Sequence, residues 1–223
     1  MLDALTLTSL PLFPLSTVLF PDGLLVLQIF EVRYLTMMTQ CHKTGAPFGV
    51  VTLTEGAETR QPASASKNGV LGGTDFAPEA FHDLGTLATI SSFSAPQTGL
   101  LIIQCRGLHR FTITRQEPLK HGLWIADVTR MADDMKIAIP PDLQKTASAL
   151  EQLIQKLKNS GTPTEKMPLH APYHLDDCGW VANRWCELLP IPVELKQRLM
   201  ALDSPLLRLE LVTDILERTG ISL

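Results

Sequence analysis

Leu10-Pro11-Leu12-Phe13-Pro14-Leu15, followed by Leu19-Phe20-Pro21 and then by Ile29-Phe30-Glu31-Val32-Arg33-Tyr34, is the stretch on which the reading of the fold turns. Pro14 pushes the residue before it out of the helical region, so Leu12-Phe13-Pro14-Leu15 is extended. Pro21-Asp22-Gly23 is a turn signal, and the run Gly23 to Phe30 beyond it reads as a buried strand. The period then changes. Phe30, Tyr34, Met37 or Met38, and Cys41 recur at three-to-four spacing, which predicts a helix that Gly45 stops. Glu31 falls in its first turn, where the helix dipole favours an acid, and Arg33 is placed to tie the helix to a neighbouring strand.

Further strands are predicted at Pro47 to Thr54, Gly85 to Phe93, Leu100 to Cys105, Arg110 to Arg115 and Trp124 to Met131, with turn signals at Gly99, Gly107 and Gly122. Strands at this spacing suggest a sandwich or a small barrel. A polar stretch rich in Gly, Ala and Ser, from Glu55 to Asp83, reads as a long loop or hairpin insertion. After Met131 the texture becomes helical. Pro140-Pro141-Asp142 opens a helix with apolar positions Leu143, Ala147, Leu150, Leu153, Ile154 and Leu157, ended by Gly161. Three shorter helices follow: Asp177 to Leu189, Pro192 to Leu202, and Pro205 to Thr219, the last capped by Ser204. The expected organisation is α+β, with a β-rich domain at 1–134 and an α-helical bundle at 135–223.

The chain has 223 residues, 45% of them hydrophobic and 19% charged, enough for a large core without disulfides or metals. Its longest apolar runs, such as Gly23 to Leu27 and Gly99 to Ile103, fall far short of the ~20 residues that span a bilayer. The opening Met1-Leu2-Asp3-Ala4-Leu5 carries an acid where a signal peptide has a basic region. No membrane partner is expected. The cysteines, Cys41, Cys105, Cys178 and Cys186, form no C-x-x-C pair and read as free thiols in a reducing cytoplasm. The net charge of −4 is spread evenly over both halves, and no basic face of the kind that binds phosphate backbones stands out. Nucleic acid is not an expected partner.

The motifs L-P-L-F-P-L at 10–15 and F-E-V-R-Y at 30–34 together resemble the N-terminal, substrate-binding domain of the ATP-dependent protease Lon, a domain found also in cereblon and in stand-alone bacterial proteins. The likeness continues through Phe48-Gly49-Val50-Val51, Leu84-Gly85-Thr86-Leu87-Ala88 and Gly107-Leu108-His109-Arg110-Phe111. It closes with Leu188-Leu189-Pro190-Ile191-Pro192 and Asp203-Ser204-Pro205-Leu206-Leu207-Arg208-Leu209. The resemblance implies a PUA-like β-barrel or pseudo-barrel followed by a helical bundle, used to recognise unfolded or partly folded protein or peptide clients, with a protease as a further partner. This chain has Val26 where the family usually has proline, and Asp22 where it usually has glycine, with Gly23 next. In the full protease an ATPase and a Ser–Lys peptidase domain follow. No G-x-x-x-x-G-K-[ST] loop occurs here, so recognition without catalysis is the expected role.

Few residues suggest chemistry of their own. His170, His174, Asp176, Asp177 and Cys178 are the right ligand types for zinc, and a metal-dependent hydrolase is one alternative; but Pro172 between the histidines argues against the helical face that such spacing needs. An RNA-binding PUA-like protein is the other alternative, which the acidic balance disfavours. No catalytic residue, metal ligand or cofactor is assigned. Trp180, Arg184, Trp185 and Met38 are the candidates for partner binding, since Trp and Arg dominate interaction hot spots and Met adapts to varied partners. Trp180 and Arg184 share a helical face from which Trp185 is rotated, so one of the two tryptophans is expected inside.

Overall fold

A computed structural model describes residues 5–58, 79–161 and 167–220. Extended chain dominates its first part, as the proline and turn signals predict. The strands are β1 (Thr6–Leu15), β2 (Leu24–Ile29), β3 (Phe48–Glu55), β4 (Ala80–Gln97), β5 (Leu100–Pro118) and β6 (Trp124–Arg130), with helix α1 (Val32–Thr44) between β2 and β3. They form one six-stranded sheet in the order β2-β5-β4-β3-β1-β6. β1 runs parallel to β3, the intervening β2 and α1 making the crossover, and the other pairings are antiparallel. β6 pairs with β1 along one edge and with β5 along the other, so the pairing returns on itself. β2 lies outside this circuit, held by the first half of β5.

Two strands differ from expectation. The segments predicted at Leu100 to Cys105 and Arg110 to Arg115 are one continuous strand, and Gly107 lies inside it rather than at a turn. A Cβ on Gly107 would stand 2.2 Å from the Phe20 carbonyl oxygen, so this glycine serves a close approach of two backbones. That approach is made by hydrogen bonds from Asp22 N to Gly107 O and from Gly107 N to Gly23 O, both 2.9 Å. Asp22 itself has φ +62°, a left-handed conformation that Asp tolerates better than most residues. The insertion expected at Glu55 to Asp83 falls largely outside the described residues, and its last residues belong to β4.

The helices α2 (Gln144–Asn159), α3 (Cys178–Leu188), α4 (Val193–Ala201) and α5 (Pro205–Arg218) follow. Pro140-Pro141-Asp142 leads into a 3-10 turn at Pro141–Leu143 rather than straight into α2. Asp177 caps α3 by accepting from Trp180 N at 3.1 Å, and Ser204 caps α5 by accepting from Leu207 N at 3.2 Å, as their types predict. The apolar faces of these helices gather around Leu150, Ile154, Val181, Cys186, Leu209 and Val212, and the same cluster takes in Val18 and Phe20 from the segment between β1 and β2. The strands and helices therefore share a core at this seam. A second cluster packs α1, through Tyr34, Met37, Met38 and Cys41, against Phe13, Leu27, Ile29 and Phe48. Phe30 does not join it. Glu31 is the extended residue before α1 and the helix starts at Val32, so Phe30 precedes the periodic stripe and stands 57% exposed.

Candidate functional site

At the seam, two buried arginines and a half-buried aspartate organise the contact between β5 and the helices. Asp134 accepts from Arg110 Nη2 at 2.8 Å through one oxygen and from Arg208 Nη1 at 2.5 Å through the other. Arg110 also donates to the carbonyls of Met200 (2.8 Å) and Leu202 (3.0 Å) at the end of α4, and Arg208 Nε donates to Leu199 O at 2.9 Å. Burial, with Arg208 alongside, pulls the Arg110 guanidinium down, while Asp134 opposes the shift. A cavity of about 310 Å³ opens beside this cluster, bordered by Pro21, His109, His174, Trp180 and Asn183 and by four carboxylates. Each carboxylate already has donors. Asp22 takes Arg106 at 2.6 Å, Asp133 takes His109 and Arg130 at 2.6 Å, Asp134 takes Arg110 and Arg208, and Asp177 takes the backbone of Trp180 and Ile137. This is a cross-braced joint, and among the described residues that border the cavity there is no nucleophile with an activating base.

The residues put forward for partner binding lie inside the protein. Met38 is fully buried, Arg184 is 3% exposed, and Trp180 and Trp185 are 6% and 4% exposed, so burial of both tryptophans corrects the expectation that one stands outside. Helix α3 is enclosed on nearly every side, from Cys178 through Cys186. Trp185 Nε1 donates to Thr146 O at 3.0 Å on α2. Arg184 donates to Pro21 O and to Glu187 Oε1, both at 2.7 Å, and lies over the Trp180 ring. Burial pushes the Glu187 carboxyl up to about 7 in spite of Arg184. Along the His170–Cys178 segment each side chain has its own engagement. His170 meets Met167 O at 3.0 Å, His174 packs edge-on to Trp180, Asp176 pairs with Lys136, and Cys178 is buried. All four thiols are free and buried.

Arg33 ties α1 down, but to connecting segments rather than to a strand: Nη1 donates to Gly122 O at 2.7 Å in the β5–β6 turn, and Nη2 pairs at 3.1 Å with Glu79, just before β4. Glu31 pairs with Arg33 Nε at 3.2 Å and makes no side-chain cap, which differs from the first-turn role predicted for it. Beside this anchor lies a groove of about 260 Å³, bordered by consecutive residues from Val26 to Glu31, by Phe13, Leu15 and Tyr34, and by Glu58. Val26 is 61% exposed here, and Phe30 and Val32, a few residues on in the chain, are exposed as well. Three large apolar side chains in water within one short stretch are unusual for a folded surface that nothing visits. Strand alternation could have marked Val26 as outward; Phe30 was hidden by its fit to the helical period.

Residues 9–218, from within β1 to the end of α5, match the family model described as the ATP-dependent protease La (LON) substrate-binding domain. The chain belongs to the Lon substrate-binding domain family. Among solved structures, this Lon-family chain is similar to the Lon N-terminal domain protein from Xanthomonas campestris, with 28% identity and a TM-score of 0.69 over 93% of this chain and 98% of that one. It shares its fold with the N-terminal domain of Mycobacterium avium complex Lon protease at 13% identity and a TM-score of 0.54, over 92% of this chain and 96% of that one. No curated protein matches it. Among its described residues, no helix is long and apolar enough to cross a membrane.

Proposed function

We propose that this chain is a non-catalytic recognition module that binds unfolded or partly folded polypeptides in the cytoplasm. A PUA-like, pseudo-barrel β-domain at 1–134 and a helical domain at 135–223 would act as one braced unit. The observation that carries this reading is the family match across 9–218, which is the part of Lon named for binding substrate rather than for cutting it. The exposed Val26, Phe30 and Val32 support it, since clients of this kind present apolar stretches. The burial of Trp180, Arg184, Trp185 and Met38 supports a structural role for them and contact elsewhere. With a net charge of −4 and binding by apolar burial, affinity should depend weakly on salt. Fluorescence anisotropy of a labelled, permanently unfolded protein, titrated with this one at low and high salt, tests the proposal. Salt-tolerant micromolar binding is expected; absence of binding at either salt overturns it.

A further inference from the structure

We propose that the outer edge of β2 takes up an extended apolar segment of the client as an added strand. This rests on the polypeptide-recognition reading and names the place and mode of capture. Antiparallel ladders alternate bonded and non-bonded residue pairs. Gly107 N donates to Gly23 O at 2.9 Å, while Gly107 O accepts from Asp22 N and Gly23 N turns to Phe20 O; the Gly23 carbonyl thus faces β5, and alternation along the ladder from Leu24 onward assigns Leu25, Leu27 and Ile29 to the β5 side. Two contacts agree with this phase. Cys105 Sγ reaches Leu25 O at 3.3 Å on the β5 side, and Gln104, opposite Val26, turns its carbonyl to Ser91 Oγ on β4 at 3.1 Å. The main-chain N–H and C=O groups of Leu24, Val26 and Gln28 therefore point away from β5. Among the described residues no strand pairs with them.

An open edge with free donors and acceptors is a template for another strand. The groove continues along this edge, with Phe13 and Tyr34 beneath it and Phe30 at its end, so main-chain pairing and side-chain burial would occur together. Its charged borders are Glu31 and Glu58, and no cation among the described residues pairs with Glu58. The fitting occupant is an extended segment of alternating apolar residues that carries a lysine or arginine.

Val26→Pro tests this directly, because it removes one outward N–H and leaves the β5 ladder untouched. The probe is a labelled decapeptide alternating valine and threonine with one lysine, alongside the same peptide N-methylated at alternate amides. Wild-type protein should bind the plain peptide, V26P should bind it roughly tenfold more weakly, as expected for one lost main-chain bond, and the methylated peptide should fail. Circular dichroism checks that V26P is folded; if it is not, the methylated peptide decides. Equal binding by V26P, or equal binding of the methylated peptide, overturns strand addition, while retained binding of an unfolded protein would leave the recognition reading intact. Loss of all polypeptide binding in the wild type overturns both. A concentration-dependent dimer that V26P abolishes, without peptide binding, would assign the edge to a second copy and overturn the proposal.

Discussion

Arg208 on α5 and Asp134, just past β6, meet at 2.5 Å although 74 residues separate them, and the Arg208 side chain is 1% exposed. Asp134 holds Arg110 of β5 by its other oxygen, so a single carboxylate balances two buried guanidinium groups. Its replacement by Asn removes the carboxylate to which both guanidinium groups bond. Breaking one side of a buried ion cluster costs about 3–5 kcal/mol. Asp134→Asn should lower stability to urea by that amount, whereas Arg115→Ala, which removes an exposed pair with Glu117, should change it by under about 0.5 kcal/mol. A D134N midpoint equal to that of wild type would refute the bracing role.

Gly107 offers a second test at the same seam. A methyl there meets the Phe20 carbonyl, a backbone atom that cannot turn away, so Gly107→Ala should cost about 2 kcal/mol or more. Gly99 has φ +81° and open space around its missing Cβ, so Gly99→Ala should cost about 1 kcal/mol from backbone strain alone. Thermal unfolding of the two variants side by side gives the ranking; the reverse order would contradict the close approach.

Glu187 should leave a mark on the pH dependence of stability. Burial raises its carboxyl from 4.5 to about 7, so between these values the folded state holds a proton that the unfolded state has released. Stability then falls as pH rises through this window, by about 3 kcal/mol at most, and the loss is complete above the folded value. Glu187→Gln should flatten that slope. Denaturation midpoints measured from pH 4 to pH 8 decide it: parallel profiles for wild type and E187Q would rule the assignment out.

The thiols give a fourth expectation. Burial pushes Cys105 and Cys186 up to about 12 and raises Cys41 and Cys178 as well. A thiol-reactive dye at pH 8 should find no fast-reacting group in the folded protein and four in urea, since the thiolate is the nucleophile. A rapid native phase would show one of these pockets to be open.

Much of the architecture was legible because its signals are local. The stop of α1 at Gly45, the caps at Asp177 and Ser204 and the turn glycines at 99 and 122 each depend on a few neighbouring residues. The site was less legible. Tryptophan and arginine on α3 read as a surface hot spot because composition cannot tell an exposed helix from an enclosed one. Phe30 read as core because its spacing matched a helix that starts two residues later.

The sequence by itself determined the kinds of the elements, several of their stops and caps, the family, and the absence of a phosphate-binding loop motif, all of which are written in short-range period, turn chemistry and motif. Only the tertiary structure decided that Gly107 lies within a strand, that β6 closes onto both β1 and β5, that Arg208 is balanced by Asp134, and that among the described residues no strand pairs with the outer edge of β2. Each of these is a relation between segments far apart in the chain, set by which backbones approach and which charges are buried together, and no local pattern carries that information.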